Sequence, residues 1–346
     1  MRVIGLMSGT SLDGVDAAFL QTDGETVTTF GPSLTLPYDP DLRQSLRALI
    51  ADPQAPAAVV ERCLTLAHVE AVRALGVTAD LIGFHGQTIL HAPARRLTRQ
   101  IGDASLLAQA TGTAVACDFR LADVAAGGQG APLVPVFHAA LAAGLPRPLV
   151  VVNIGGVANI TWIGADGALL ACDTGPGGAL LDDFVHARTG QPMDHDGALA
   201  RAGQPDEAIL ARLLADPFFG ASPPKSLDRQ HFAASLHAVA HLSTPDGAAT
   251  LAAFTARAIA LVPLPAPPAR VLVTGGGRHN PAIMAALAAA SSVQVGPVED
   301  VGWDGDALEA QCFAYLAARV LRGLPLSFPG TTGVPAPMPG GRIVSP

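Results

Sequence analysis

The chain has 346 residues, room for two domains, and 29 acidic against 21 basic side chains give a formal net charge of −8. Without a basic run to neutralise a phosphate backbone, nucleic acid is excluded as a partner. No uncharged apolar run reaches the 18 residues that mark a membrane span, so no membrane partner is expected.

The four cysteines, Cys63, Cys117, Cys172 and Cys312, show no CxxC or other zinc spacing and read as free thiols of a reducing cytosol. The N-terminal apolar run is broken by Gly5 and Ser8 and is too short and polar for a signal peptide. A cytoplasmic globular protein is therefore expected.

The chain opens with Val3-Ile4, a Gly/Ser/Thr-rich turn and Ala17–Leu20, which reads as strand, turn, strand. Gly5, Gly9 and Gly14 allow a tight turn and close approach of a ligand to the backbone. Ser8, Thr10 and Ser11 add hydroxyls suited to phosphate oxygens, and Asp13 and Asp16 suit Mg²⁺ held through water. Glu25–Phe30 adds a third strand after the turn Asp23-Gly24. Asp39–Asp52 and Ala55–Leu75 show helical periodicity. Leu81–Phe84 is a short buried strand ending in His85-Gly86-Gln87-Thr88. Ala104–Thr111 is a helix, and Ala114–Cys117 a strand running into Asp118-Phe119-Arg120 and the glycine-rich loop Asp123–Pro132.

The opening pattern then returns. Leu149–Ile163 is again strand, glycine turn, strand, closed by Asp166-Gly167, and Leu169–Cys172 runs into Asp173-Thr174-Gly175-Pro176-Gly177-Gly178. Two copies about 145 residues apart suggest two similar domains. Helices follow at Gly178–Thr189, Glu207–Ala215 and Ala248–Leu261, and a strand at Arg270–Thr274 leads to Gly275–Asn280 and a helix to Ala290. Asp306–Gly323 is a final helix, and the last 23 residues are Pro/Gly-rich and expected to wrap the surface. Alternating strands and helices, with polar residues at strand ends, mark an α/β fold whose ligands sit at that edge. No G-x-x-x-x-G-K-[ST] is present, nor a G-x-G-x-x-G dinucleotide fingerprint.

Gly5–Asp16 resembles the signature of the anhydro-N-acetylmuramic acid kinases, members of the actin/sugar-kinase/heat-shock-ATPase superfamily. Gly83–Thr88, Asp118–Arg120 with Asp123–Pro135, Asn153–Gly156 with Asn159, Asp173–Gly177, Pro224–Ser226 with Arg229 and Phe232, and Gly275–Gly277 with Asn280 resemble further motifs in family order. The resemblance implies two facing ribonuclease-H-like (actin-like ATPase) domains with an interdomain active-site cleft. The boundaries expected are 1–140, 141–325 and a C-terminal segment 326–346. It also implies ATP and Mg²⁺ as cofactors, 1,6-anhydro-N-acetylmuramate as the sugar substrate and a homodimer.

By resemblance Asp173 is the catalytic base that activates water at C1, and Glu309 matches an acidic position near the active site. A lone helical glutamate is also ordinary solvated surface, and an aspartate ahead of a helix is also an ordinary N-cap. Gly9, Thr10, Ser11, Asp13, Gly14 and Asp16 would hold the β/γ-phosphates, with Asp13 on the hydrated metal. Gly155, Gly156, Asn159 and Lys225 would hold phosphate from the second domain, and Gly275, Gly276 and Gly277 the adenosine. His85, Gln87, Arg120, Asp123, Gln129 and Gly130 fall to the sugar, the competing readings being a satisfied core histidine for His85 and a structural ion pair for Arg120 and Asp123.

The chain departs from the family pattern in two places, with Gly178 where Asn is usual and Leu227-Asp228 where Thr-Gly is usual. These put the positioning of sugar or water and the nucleotide contacts of that loop in doubt. The competing functions are an ordinary sugar kinase of the same superfamily and a non-catalytic nucleotide-binding protein.

Overall fold

A computed structural model describes residues 1–9, 11–228 and 230–346, so Thr10 and Arg229 lie outside the described residues. The described strands are β1 (Arg2–Ser8), β2 (Gly14–Thr22), β3 (Val27–Pro37), β4 (Leu81–Ala92), β5 (Leu97–Ile101) and β6 (Val115–Cys117). They continue with β7 (Leu149–Ile154), β8 (Val157–Ile163), β9 (Leu169–Pro176), β10 (Arg270–Thr274), β11 (Gln294–Pro297) and β12 (Arg342–Val344).

The chain divides into two compact units, Met1–Ala143 with Ala307–Pro346, and Gly144–Asp306. The first carries a sheet in the order β12-β6-β4-β1-β2-β3, with β5 paired to β4. The second carries β11-β10-β7-β8-β9. Both follow one plan. β1, β2 and β3 form an antiparallel meander, and β4 and β6 then add in parallel beside β1. β7, β8 and β9 form the same meander, and β10 and β11 add in parallel beside β7. The echo between Gly5–Asp16 and Leu149–Ile163 is thus a repeat of topology, and the α/β class holds.

The central strands are apolar on both faces, as parallel strands covered by helices must be. In the first unit one face joins the helix Ala58–Leu75 through Ile4, Leu6, Ile82, Leu64, Val69 and Leu75. The other face meets the helix Leu308–Arg322, which lies against β1, β2 and β4. That contact is a backbone-to-backbone approach. A Cβ at Gly5 would stand 1.8 Å from the Ala310 carbonyl oxygen, and one at Gly83, its register partner, 2.1 Å from that of Phe313. A Cβ at Gly14 would likewise stand 2.3 Å from the Leu36 carbonyl oxygen of β3. Gly5 and Gly14 therefore serve close packing, whereas a Cβ at Gly9 would meet nothing nearer than Ser11 Oγ at 3.4 Å. The second unit buries Val150, Val152, Ile160 and Val273 beneath the helices Ala179–Thr189, Thr244–Ala260 and Pro281–Ala290.

Several boundaries differ from expectation for identifiable reasons. The final helix packs with the first unit rather than closing the second, its backbone fitted closely over Gly5 and Gly83. The C-terminal segment does more than wrap the surface: β12 pairs antiparallel with β6. β4 runs on through His85-Gly86-Gln87-Thr88 with Gly86 at φ +70°, a bulge rather than a strand end. The helix expected from Ala248 starts at Thr244, where the Ser243 side chain caps it by accepting from the Asp246 N–H. Among the described residues no helix is long and apolar enough to cross a membrane.

Replacing Gly5 with Ala forces the sheet and the final helix apart. It is expected to cost about 3 kcal/mol or more. Gly144→Ala, with no atom within 4 Å of the added carbon, should change stability by only about 0.5 kcal/mol. Urea unfolding midpoints of the two variants check this, and equal midpoints would remove the packing role of Gly5.

Candidate active site

In the second unit the strand register gathers a polar row. Thr274 of β10 pairs with Asn153 of β7, Asn153 with Asn159 of β8, and Asn159 with Asp173 of β9. Register partners share a face of the sheet. Asp173 is therefore placed by β9, which runs to Pro176, and not by a turn beyond a strand end. It also does not cap the following helix, whose N-cap is Gly178 with no side-chain bond.

The segment around Lys225 closes over Asp173. The Asp173 N–H donates to the Lys225 carbonyl at 3.0 Å, and the Leu227 N–H donates to Asp173 Oδ2 at 2.7 Å. Burial pushes the Asp173 carboxyl up to about 6, only partly offset by the Leu227 bond. A carboxylate with that affinity for a proton is suited to accept one from water near neutral pH.

Two tight turns border this row. The Gly155-Gly156 turn is held by Gly177 N–H on the Gly156 carbonyl and Gly178 N–H on the Gly155 carbonyl, at 3.0 and 2.7 Å. Carbons added at Gly155 or Gly156 would meet only ordinary contacts at 3.5–3.6 Å, so space lies over both. In the Gly275–Gly277 turn, Gly275 at φ +79° abuts Asn153 and Gly277 abuts Ile154, leaving Gly276 as the open position. Arg278 braces this turn: its guanidinium binds the Gly275 carbonyl at 3.0 Å, Glu299 at 2.9 Å and Asp306 at 2.8 Å.

Lys225 does not extend toward open space. Its ammonium donates to the Phe218 carbonyl at 2.8 Å and sits 4.3 Å from the centre of the Phe218 ring, and burial lowers its pKa. Lys225 thus clamps the Phe218 backbone to its own segment.

In the first unit β4 and the Asp118–Arg120 turn bring His85 and Arg120 together. The His85 ring is buried, with Nδ1 on the Gly86 carbonyl at 2.7 Å and Nε2 accepting from Arg120 Nε at 3.0 Å. Burial and the Arg120 charge hold it neutral, its pKa well below the usual value. With Nδ1 on the Gly86 carbonyl and Nε2 already an acceptor, His85 orients Arg120, as a satisfied core histidine does. Arg120 also donates to the Gly130 carbonyl at 2.8 Å. It makes no direct pair with Asp123, whose Oδ1 accepts from the Gly130 N–H at 2.5 Å and Oδ2 from the Thr332 hydroxyl at 2.6 Å. Asp123 is 2% exposed and its carboxylate is engaged by the loop and by Thr332.

Gln87 is fully buried, and its Oε1 accepts from Ser8, which also shares a 2.5 Å hydrogen bond with Tyr38. It fixes the end of β1. The exposed side of the opening loop carries Ser11 and Asp13, joined by a 2.7 Å hydrogen bond, with Asp16 on β2 accepting from Thr35 at 2.6 Å.

Glu309 stands in the first turn of the helix Leu308–Arg322 with its side chain exposed. The surrounding protein mass raises its pKa first, then the charge of Asp16, while Arg120 opposes both. Glu309, Asp16 and Arg120 thus form one electrostatic group drawn from β2, the Arg120 turn and the final helix. Thr332, which no sequence motif singled out, lies within the Pro/Gly-rich C-terminal segment and is tied to the Arg120 loop through Asp123.

The profile of the anhydro-N-acetylmuramic acid kinase family matches residues 1–345. A protein named anhydro-N-acetylmuramic acid kinase from Acidiphilium cryptum is 62% identical, covering 100% of this chain and 99% of its own. Proteins of the same name from Paramagnetospirillum magneticum and Gluconobacter oxydans are 56% and 53% identical, each covering 99% of both chains. With the topology repeated in both units and the motifs in place along their whole length, the chain belongs to the anhydro-N-acetylmuramic acid kinase family.

Proposed function

We propose that the enzyme uses ATP and water to open the 1,6-anhydro ring of 1,6-anhydro-N-acetylmuramate and phosphorylate O6. The products are N-acetylmuramate 6-phosphate and ADP, a step in peptidoglycan recycling. The observation that carries this reading is Asp173, a carboxylate raised to about 6 and held by main-chain bonds beside a glycine turn. Glycosidic cleavage ordinarily needs a base and an acid carboxylate. Here the γ-phosphoryl group captures the departing O6, so the base alone suffices.

In this scheme Asp173 takes a proton from water as its oxygen attacks C1. The C1–O6 bond breaks, and O6 takes the phosphoryl group from ATP. Arg120, oriented by neutral His85, offers a planar fork to the lactyl carboxylate. Gln129 and Gly130 shape the loop beside it, and Glu309 supports the charge balance on the same side. The open backbone at Gly9, Gly155, Gly156 and Gly276 receives the nucleotide, with Asn159 beside the base.

Mg²⁺, when bound, neutralises phosphate charge. Among the described residues no cluster of three metal-ligating side chains exists, which suits a hydrated ion held by one or two carboxylates and phosphate. Asp13 and Asp16 would hold it. The family resemblance further supports a cytoplasmic homodimer.

Incubation with ATP, Mg²⁺ and the anhydro sugar should give a product heavier than the sugar by one phosphoryl group and one water. Mass addition of phosphoryl alone would convert the reading into that of an ordinary sugar kinase. The kcat/KM profile should rise with pH through about 6 and level above it, because only ionised Asp173 accepts the proton. A flat profile from pH 5 to 8 would exclude Asp173 as base.

Asp173→Asn keeps an acceptor for the Leu227 N–H and should lose about 10²–10⁴-fold in turnover. The folded protein binds the Asp173 proton more tightly than the unfolded chain does, so ionised Asp173 costs stability, and the cost grows as pH rises from about 4 to about 6. The variant should therefore be more stable than wild type by about 2 kcal/mol at pH 7, and no more stable at pH 3. Thermal unfolding at the two pH values checks this, and a variant less stable at both would refute the burial cost.

A further inference from the structure

The C-terminal segment and the glycine-rich loop Asp123–Pro132 are joined by bonds that span the chain. Thr332 is fully buried and closes the short helix Pro329–Thr332. Its hydroxyl donates to Asp123 Oδ2 at 2.6 Å, and its carbonyl accepts from the Gln129 N–H at 2.7 Å. Asp123 returns the connection from the other side, its Oδ1 accepting from Gly130 N–H at 2.5 Å and its carbonyl from Gly128 N–H at 2.9 Å. Both oxygens of this buried carboxylate are thus satisfied, which its burial requires.

The loop has little freedom to sit elsewhere. A Cβ at Gly128 would fall 2.3 Å from Asp123 and 2.6 Å from Val334, and one at Gly130 2.5 Å from Val124. Gly130 in turn holds Arg120 through its carbonyl at 2.8 Å, and Arg120 rests on His85 at 3.0 Å. Two of the five guanidinium N–H donors are spent on holding it in place. The position of the rest of the fork is set by where the Gly130 carbonyl lies.

We propose that Thr332 is a positioning residue for the acceptor sugar: through Asp123 and Gln129 it fixes the loop that aims the Arg120 guanidinium at a carboxylate of the substrate. The proposal rests on the reading of Arg120 as the carboxylate-binding group. It assigns the C-terminal segment to acceptor recognition and leaves the nucleotide out. The Thr332 hydroxyl, not its methyl group, carries the effect.

Steady-state kinetics on the full chain test it. Thr332→Val, close in shape but without the donor, leaves Asp123 Oδ2 unpaired and should raise KM for the anhydro sugar about tenfold while KM for ATP stays within about twofold. Thr332→Ser should restore the wild-type sugar KM. A uniform loss of packing would move both KM values or neither, and the serine variant would not rescue it. Should the valine variant fail to fold, Asp123→Asn, which weakens both bonds to the loop, is expected to give the same sugar-selective rise.

Arg120→Lys separates the two levels of inference. If it leaves the sugar KM unchanged, Arg120 is not the carboxylate-binding group and the underlying reading fails. If it raises the sugar KM while Thr332→Val or Asp123→Asn does not, the positioning role of Thr332 is overturned and the reading of Arg120 stands.

Discussion

The first unit depends on one contact: the helix Leu308–Arg322 laid against the backbone of β1 and β4 at Gly5 and Gly83. The two glycines are register partners, and no side chain of any size fits between strand and helix there. The same contact sets the depth at which Glu309 meets Asp16 and Arg120, and at which Phe313 packs on His85, their rings 4.6 Å apart. Fold and chemistry are therefore tied at this point. A change that lifts the helix should disturb both the core packing and the electrostatic group.

Much of this was legible in the sequence. Apolar runs such as Val150–Val152 and Leu81–Phe84 announce buried strands, and the recurrence of strand, glycine turn, strand announces the duplicated topology now seen in both sheets. The proposal of Asp173 as base came from resemblance, and its buried environment is consistent with that role. What escaped was long-range. The destination of the final helix could not be read from its own amphipathic pattern, since any sheet face would accept it until Gly5 and Gly83 are placed side by side. The partners that Gln87, Lys225 and Asp123 find within the chain could not be read either, because polar residues near a motif look alike in sequence whatever backbone or side chain they meet.

The acid-base properties of the two units are set by opposite means. Asp173 is raised by burial, tempered by one main-chain N–H. His85 is lowered by burial and by the guanidinium on its Nε2, so it stays an acceptor. One group gains a proton affinity suited to catalysis, and the other is kept from protonating beside a cation it must hold. The loop at Leu227 is instructive in this respect. It meets Asp173 through a backbone N–H, so its departure from the usual Thr-Gly leaves that bond intact, while the Leu227 side chain packs against the core of the second unit.

The division of the chain has a consequence for synthesis. The second unit is a continuous run, Gly144–Asp306, inserted within the first, whose last forty residues come after it. As the chain leaves the ribosome, the N-terminal sheet emerges first but lacks the helix that covers Gly5 and Gly83, and it lacks β12 at its edge. The inserted unit can complete its own core while its host still waits, so the earliest residues made are among the last to reach their final packing. An interrupted or truncated chain would leave an open apolar sheet face exposed, and loss of the C-terminus would act on the N-terminal half of the protein.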